Sequence, residues 1–308
     1  MPNIPANGVV SPATVFVDNI HLVEELFAYS NLRDIASFAA SSACNATLAR
    51  LYLEQHLKEF TVPFFADSNT LFEILRSCDA VISGSTALHF LLAKSTPWSP
   101  TDLDIYVPRC HAHHLVTLLN NQGYQLVHQG IIDNSPYSHS QIHTILNLSN
   151  GTCRLDIVVS QKNAGLPPIF HFHSMAVMNF ILPDRIFCAY PALTFRGLSM
   201  VNPGPLYVGR RGRNSFNALR KYEERGFHYI TCADAHQYNI SCKTSPRTLT
   251  DGRGMWVDIK RLPRVSVSSK ENFVCFGCMD VCWVLGGMVC DTKCALVTPQ
   301  ISVIEDAL

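Results

Sequence analysis

Hydrophobic positions recur at helical spacing through the first sixty residues: Leu22, Leu26 and Phe27, then Leu32, Ile35, Phe38 and Ala39, then Leu48, Leu51 and Leu53. The spacing predicts two or three short helices, one of them N-capped by Asn31, and an amphipathic helix over residues 43–57. Residues 70–76 are also compatible with a helix. The pattern then changes. Ala80-Val81-Ile82 is a short apolar run that fits a buried strand, Ser83-Gly84-Ser85 a tight turn, and residues 86–93, rich in Ala and Leu, a helix. Residues 102–107 (Asp-Leu-Asp-Ile-Tyr-Val) and 155–159 (Leu-Asp-Ile-Val-Val) read as further strands. Between them the pattern predicts a helix over 112–121 ended by Gly123, and meander strands over 124–128 and 142–148.

Beyond residue 200, Asn202-Pro203-Gly204-Pro205 breaks the pattern, and a helix is expected between a capping Asn214 and Gly226. Residues 255–260 and most of 273–304 look rich in β-structure. The expected fold class is α+β: a small mixed sheet with helices, an N-terminal helical segment and a β-rich C-terminal extension. Residues 1–60 are assigned to a flexible arm and the helical segment, 61–200 to the core and 201–308 to the extension.

Composition narrows the function classes. At 308 residues, 47% of them hydrophobic and 16% charged, the chain is globular and long enough for a sizeable core. The formal net charge is zero, so a polynucleotide partner would depend on a local patch rather than on bulk attraction. No uncharged apolar run is long enough to span a bilayer and no signal-peptide pattern opens the chain, so no membrane partner is expected and the compartment expected is intracellular, cytoplasmic or nuclear. Twelve scattered cysteines are then expected to be reduced.

The candidate chemistry sits where strand, turn and helix meet. Gly84 allows close backbone approach, and Ser85 adds a hydroxyl where the free amides and dipole of a helix start favour an anion such as phosphate. Asp102 and Asp104 are two positions apart in a strand and share a face, and Asp156 begins a neighbouring apolar strand. Three carboxylates in one site require a cation, and magnesium or manganese, which take oxygen ligands and retain substrate phosphates, suit them. The expectation is two-metal phosphoryl or nucleotidyl transfer.

Gly84-Ser85, Asp102-x-Asp104 and Asp156, in that order, resemble the polymerase-beta-like nucleotidyltransferase superfamily, including the AbiEii-type toxins, whose turn is similar to Gly84–Leu88. The chain also resembles a group of fungal proteins that share Ser-Gly-Ser-Thr-Ala-Leu, Asp-Leu-Asp-hydrophobic-Tyr-Val and a later Phe-His-Ser segment, here Phe172-His173-Ser174. The resemblance implies a nucleoside triphosphate donor bound at Gly84 and Ser85, metal on Asp102, Asp104 and Asp156, and an acceptor hydroxyl on RNA, protein or a small molecule. Residues 95–101 make a longer connection to the paired acids than the family usually has. Leu22 to Phe27 and Leu32 to Ile35 resemble the first two helices of a degenerate F-box, with Asn19-Ile20 where Leu-Pro usually stands. That implies a second function, docking to a Skp1-like ubiquitin-ligase adaptor, with the core serving as a binding module.

Other clusters are weaker. His111, His113 and His114, and the pair His171 and His173, lack the helix-spaced carboxylate partners of a zinc site and read first as surface or hydrogen-bonded imidazoles. Cys275, Cys278, Cys282, Cys290 and Cys294 are dense but match no zinc module, and read first as buried thiols. Residues 209–226 form the most basic segment, with Arg220 and Lys221 as candidate triphosphate contacts and a solvated helix face as the plainer reading.

Overall fold

The computed structural model describes residues 20–131, 141–202, 211–232, 234, 245–262, 279–285 and 300–305. Helices α1 (Ile20–Ala28), α2 (Leu32–Ala39), α3 (Ala43–Thr61) and α4 (Ser68–Ser77) come first. The expected cap of α2 is present as a capping box: Asn31 Oδ1 accepts from the amides of Arg33 and Asp34, and Asp34 returns a bond to the Asn31 amide. After them β1 (Val81–Ser83) runs straight into α5 (Gly84–Leu91), with no separate turn between them. Then follow β2 (Leu103–Val107), α6 (Ala112–Asn121), β3 (Gln125–Ile131), β4 (Ile142–Ser149) and β5 (Arg154–Ser160). Gly123 ends α6 in the left-handed conformation, as expected of a glycine stop.

Two 3-10 turns, Pro167–His171 and Met175–Val177, carry the Phe-His-Ser segment between them, and β6 (Asn179–Ile181) and β7 (Arg185–Cys188) make a hairpin. Short α7 (Pro191–Thr194) and β8 (Leu198–Ser199) precede α8 (Arg211–Glu224), β9 (His228–Tyr229), β10 (Arg247–Thr248), β11 (Met255–Asp258), β12 (Met279–Val284) and β13 (Gln300–Glu305). Helix α8 starts a turn before Asn214, which is therefore not its cap, and Gly226 terminates it at positive φ. The expected N-terminal arm, the Pro-Gly breakers and Cys275, Cys278, Cys290 and Cys294 lie outside the described residues.

The architecture is α+β, built on a mixed eight-stranded sheet in the order β11-β7-β6-β1-β2-β5-β4-β3. Its one parallel pair is β2 with β5; the other neighbours are antiparallel. Strand alternation gives the sheet two different faces. Leu103, Ile105 and Val107 of β2 and Leu155, Ile157 and Val159 of β5 point into one cluster with Val23 and Phe27 of α1, Ile35 of α2 and Leu53 of α3. The N-terminal helices and the sheet thus share a core.

On the opposite face Val81, Tyr106 and Val158 pack with Phe170, Phe180, Phe187 and Trp256. A second sheet, β10-β12-β13, closes over them: Trp283 stacks on Phe170 at 3.9 Å and donates its indole N–H to the Tyr190 hydroxyl at 2.9 Å. Among the described residues no helix is long and apolar enough to cross a membrane.

His56 of α3 lies inside the helical core, its ring 4.8 Å from Phe90 and 5.9 Å from Tyr52 in stacked arrangement. Burial, reinforced by Lys94, pushes its pKa from 6.5 down to about 4. The unfolded chain therefore binds the proton more readily, so this contribution to stability is complete above pH 6.5 and is lost as pH falls toward 4. His56→Phe should retain the stacking and reduce the loss of unfolding free energy between pH 7 and pH 4.5 by about 2 kcal/mol, read from denaturant melts at both pH values.

A carboxylate row above a glycine at the start of a helix

The register of the sheet builds the site. Ser83 of β1 pairs with Asp104 of β2, Asp104 with Asp156 of β5, Asp156 with Asn147 of β4, and Asn147 with His128 of β3. Directly paired residues present their side chains to the same face. One row of polar side chains therefore crosses five strands on the face opposite the N-terminal helices.

Gly84 opens α5 at φ +69°, and a Cβ there would collide with Asp104 Oδ2 and sit 2.9 Å from its Cγ. Only glycine lets β1 turn into α5 beneath that carboxylate. The Ser85 N–H donates to Asp104, so the helix start already holds one anion. Thr86 Oγ1 donates to the Asp102 carbonyl at 2.9 Å, tying α5 to the beginning of β2. Ser83 Oγ donates to the Asn179 carbonyl at 2.6 Å, and Asn179 Nδ2 to that of Ala176 at 2.6 Å, which fastens the Phe-His-Ser segment beside the row.

The three predicted acids are electrostatically coupled. Desolvation first, then the charges of Asp102 and Asp156, push Asp104 from 3.8 up to about 8; Lys221 and the Ser85 amide offset part of this. Asp156 is positioned by Asn147, whose Nδ2 donates to Asp156 Oδ1 at 2.6 Å. Tyr106 and Tyr222 are buried beside the acids, and burial followed by the Asp104 charge raises the Tyr106 hydroxyl well above its usual value.

Among the described residues no group of three His, Cys, Asp or Glu side chains converges closely enough to hold a metal ion. The zinc readings of the histidine clusters therefore find no three-residue ligand set among those residues. The acids nevertheless have the chemistry of a divalent-cation site. Their oxygens are of the kind magnesium or manganese take, and Asp104 is raised first by burial and then by the charges of Asp102 and Asp156.

The basic segment resolves into two roles. Arg220 pairs with Glu224 at 3.0 Å on an exposed face, whereas Lys221 is near enough to Asp104 and His173 to influence both. Helix α8 is anchored by Arg225, whose guanidinium lies 4.1 Å over Trp98 and 5.3 Å over Tyr222. His173 stacks on Tyr222 at 5.6 Å, and burial followed by Lys221 pushes its pKa down to about 4. Sequence reasoning missed Asn147, Tyr106 and Tyr222. The alternation of Asp104 with Tyr106 was a usable signal for Tyr106, but nothing local marked the other two.

The chain matches no protein-family model, no curated protein and no solved structure.

The folded Asp104 binds its proton more tightly than the unfolded one, so its contribution favours the fold at low pH and is lost as pH rises from 3.8 toward 8. Asp104→Asn should then stabilise the cation-free protein at pH 7.5 by on the order of 1–2 kcal/mol after allowance for its partial exposure. The gain should shrink toward zero near pH 4, and parallel denaturant melts at the two pH values measure it.

Proposed function

We propose that the protein is a metal-dependent nucleotidyltransferase that moves a nucleoside monophosphate from a triphosphate to an acceptor hydroxyl. One observation carries the reading: Asp104 and Asp156 stand opposite one another on the parallel pair β2–β5, with Asp104 packed against Gly84 at the start of α5. A triphosphate and a carboxylate would compete for the same helix start, and a divalent cation allows both to be present. Asp102, Asp104 and Asp156 would hold magnesium or manganese. When bound, the metal supplies charge neutralisation of the phosphates and activation of the attacking oxygen. Gly84 admits the donor phosphates to the backbone, Ser85 offers its hydroxyl, and Lys221 supplies a positive charge beside the acids. Asn147 holds Asp156 in orientation.

The direct test is thermal-shift titration with ATP, GTP, CTP and UTP, each with magnesium. At least one nucleotide should raise the wild-type midpoint in a magnesium-dependent way, and the response should vanish in the Asp102→Ala, Asp104→Ala double variant. Lys221→Ala should weaken it about tenfold in apparent affinity, whereas Arg220→Ala should leave it unchanged. A wild type that responds to none of the four nucleotides refutes the transferase.

A second reading has its own support. Helix α1 buries Val23 and Phe27 but exposes Leu22 and Leu26 along its outer side, and Tyr29, in the turn just after it, is 70% exposed. That stripe favours a docking role for the N-terminal helices, with a Skp1-like adaptor as partner and the transferase-like core as the recognition module. Mixed with a purified Skp1-like adaptor, the wild type should co-elute on gel filtration and Leu26→Glu should not; separate elution of the wild type removes this reading.

A further inference from the structure

The polar row does not stop at Asn147. Beyond it lies a groove of about 490 Å³ at the β3 edge, lined by Val127, His128, Asn147, Leu148, Ser149 and Arg154. The register shift between Leu126 and His128 produces its shape, because it displaces Val127 from the ladder and leaves His128 paired with Asn147. Arg154 pairs with Ser149 and immediately precedes Leu155, the partner of Leu103, so it stands at the same end of the parallel pair as Asp102. His128 and Arg154 are both exposed, and neither makes an ion pair or side-chain hydrogen bond with a described residue. The groove therefore carries a guanidinium and an imidazole, and its Asn147 wall donates to Asp156 of the acidic row at 2.6 Å.

From this juxtaposition we infer that the groove binds the acceptor, and that the acceptor is a small molecule carrying both a phosphate and a hydroxyl. This rests on the transferase reading. Arg154 offers the planar fork that matches a phosphate, and His128 a further ring N–H. The phosphate held there places the rest of the molecule along the row toward Asn147 and Asp156. In the step that follows, the acceptor hydroxyl oxygen forms a bond to the α-phosphorus of the nucleotide. The bond from that phosphorus to the bridging oxygen breaks, pyrophosphate leaves, and the hydroxyl proton is released to solvent. The volume suits a ligand of about one nucleotide in size, and the zero net charge provides no bulk field for a long polyanion. Both favour a small phosphorylated acceptor over an RNA strand.

Ribose 5-phosphate is a suitable probe, with ribose as the uncharged control, titrated calorimetrically into the full chain. The wild type should bind the phosphorylated sugar and not ribose. Arg154→Glu and His128→Ala should each weaken it about tenfold or more, while Ser85→Ala should leave it bound. Equal binding of ribose, unchanged affinity in both groove variants, or loss of binding in Ser85→Ala, which would put the phosphate in the donor turn, overturns the assignment. The magnesium–nucleotide response of the same wild-type sample separates the two readings. Binding of ribose 5-phosphate without any nucleotide response defeats the transferase and retains the groove; the reverse pattern defeats the groove alone.

Discussion

The site depends on one close approach, that of the Asp104 carboxylate to Gly84. Three constraints fix it together: the β1–β2 register that sets Ser83 opposite Asp104, the positive φ that only glycine adopts without strain, and the missing Cβ that leaves room for the oxygen. From that contact the rest follows. The helix start holds the Asp104 carboxylate and the adjoining register brings Asp156 alongside, whereas Asp102 lies in the bend just before β2 rather than within the strand expected over residues 102–107. A sheet needed only for stability gains nothing by desolvating one carboxylate between two others. Burial holds Asp104 far above its usual carboxylate range, a cost that packing two residues along the strand has to offset.

The charge balance is completed from the far side of the sequence. The Lys221 charge acts on Asp104 from α8, which is fixed by aromatic contacts: Tyr222 buried against His173, and Arg225 spread over Trp98. Trp98 belongs to the connection between α5 and β2, so this connection also forms part of the bed for α8. His173 is kept neutral by burial and by Lys221, which leaves the lysine as the basic charge that this part of the wall directs at the acids.

Much of this frame was legible in the chain. Local rules found β1, α5, β2 and β5, the Asn31 N-cap and the glycine stops at Gly123 and Gly226, because each is decided by residues close in sequence. The hairpin of β6 and β7 was not found. Its strands are short, with almost every residue buried, so no alternation betrays them. Nor was the return of β11 to the edge of the main sheet visible, since pairing across about seventy residues leaves no local mark. The choice between Arg220 and Lys221 turned on which side of α8 faces the sheet, a tertiary fact that neighbouring basic residues cannot encode. Asn147 was hidden for a related reason: it matters only through the β4–β5 register that sets it opposite Asp156.

A two-residue step along the strands separates sealed core from open chemistry. Val81, Tyr106 and Val158 form one row, covered by the 3-10 turns and the second sheet. The next row runs from buried Ser83 through partly exposed Asp104, Asp156 and Asn147 to exposed His128. Tyr106 marks the border, its ring in the apolar cluster and its hydroxyl pKa raised first by burial and then by the nearby Asp104 charge. The covered row gives the strands a rigid base, and the repulsion among Asp102, Asp104 and Asp156 is borne by packing two residues away.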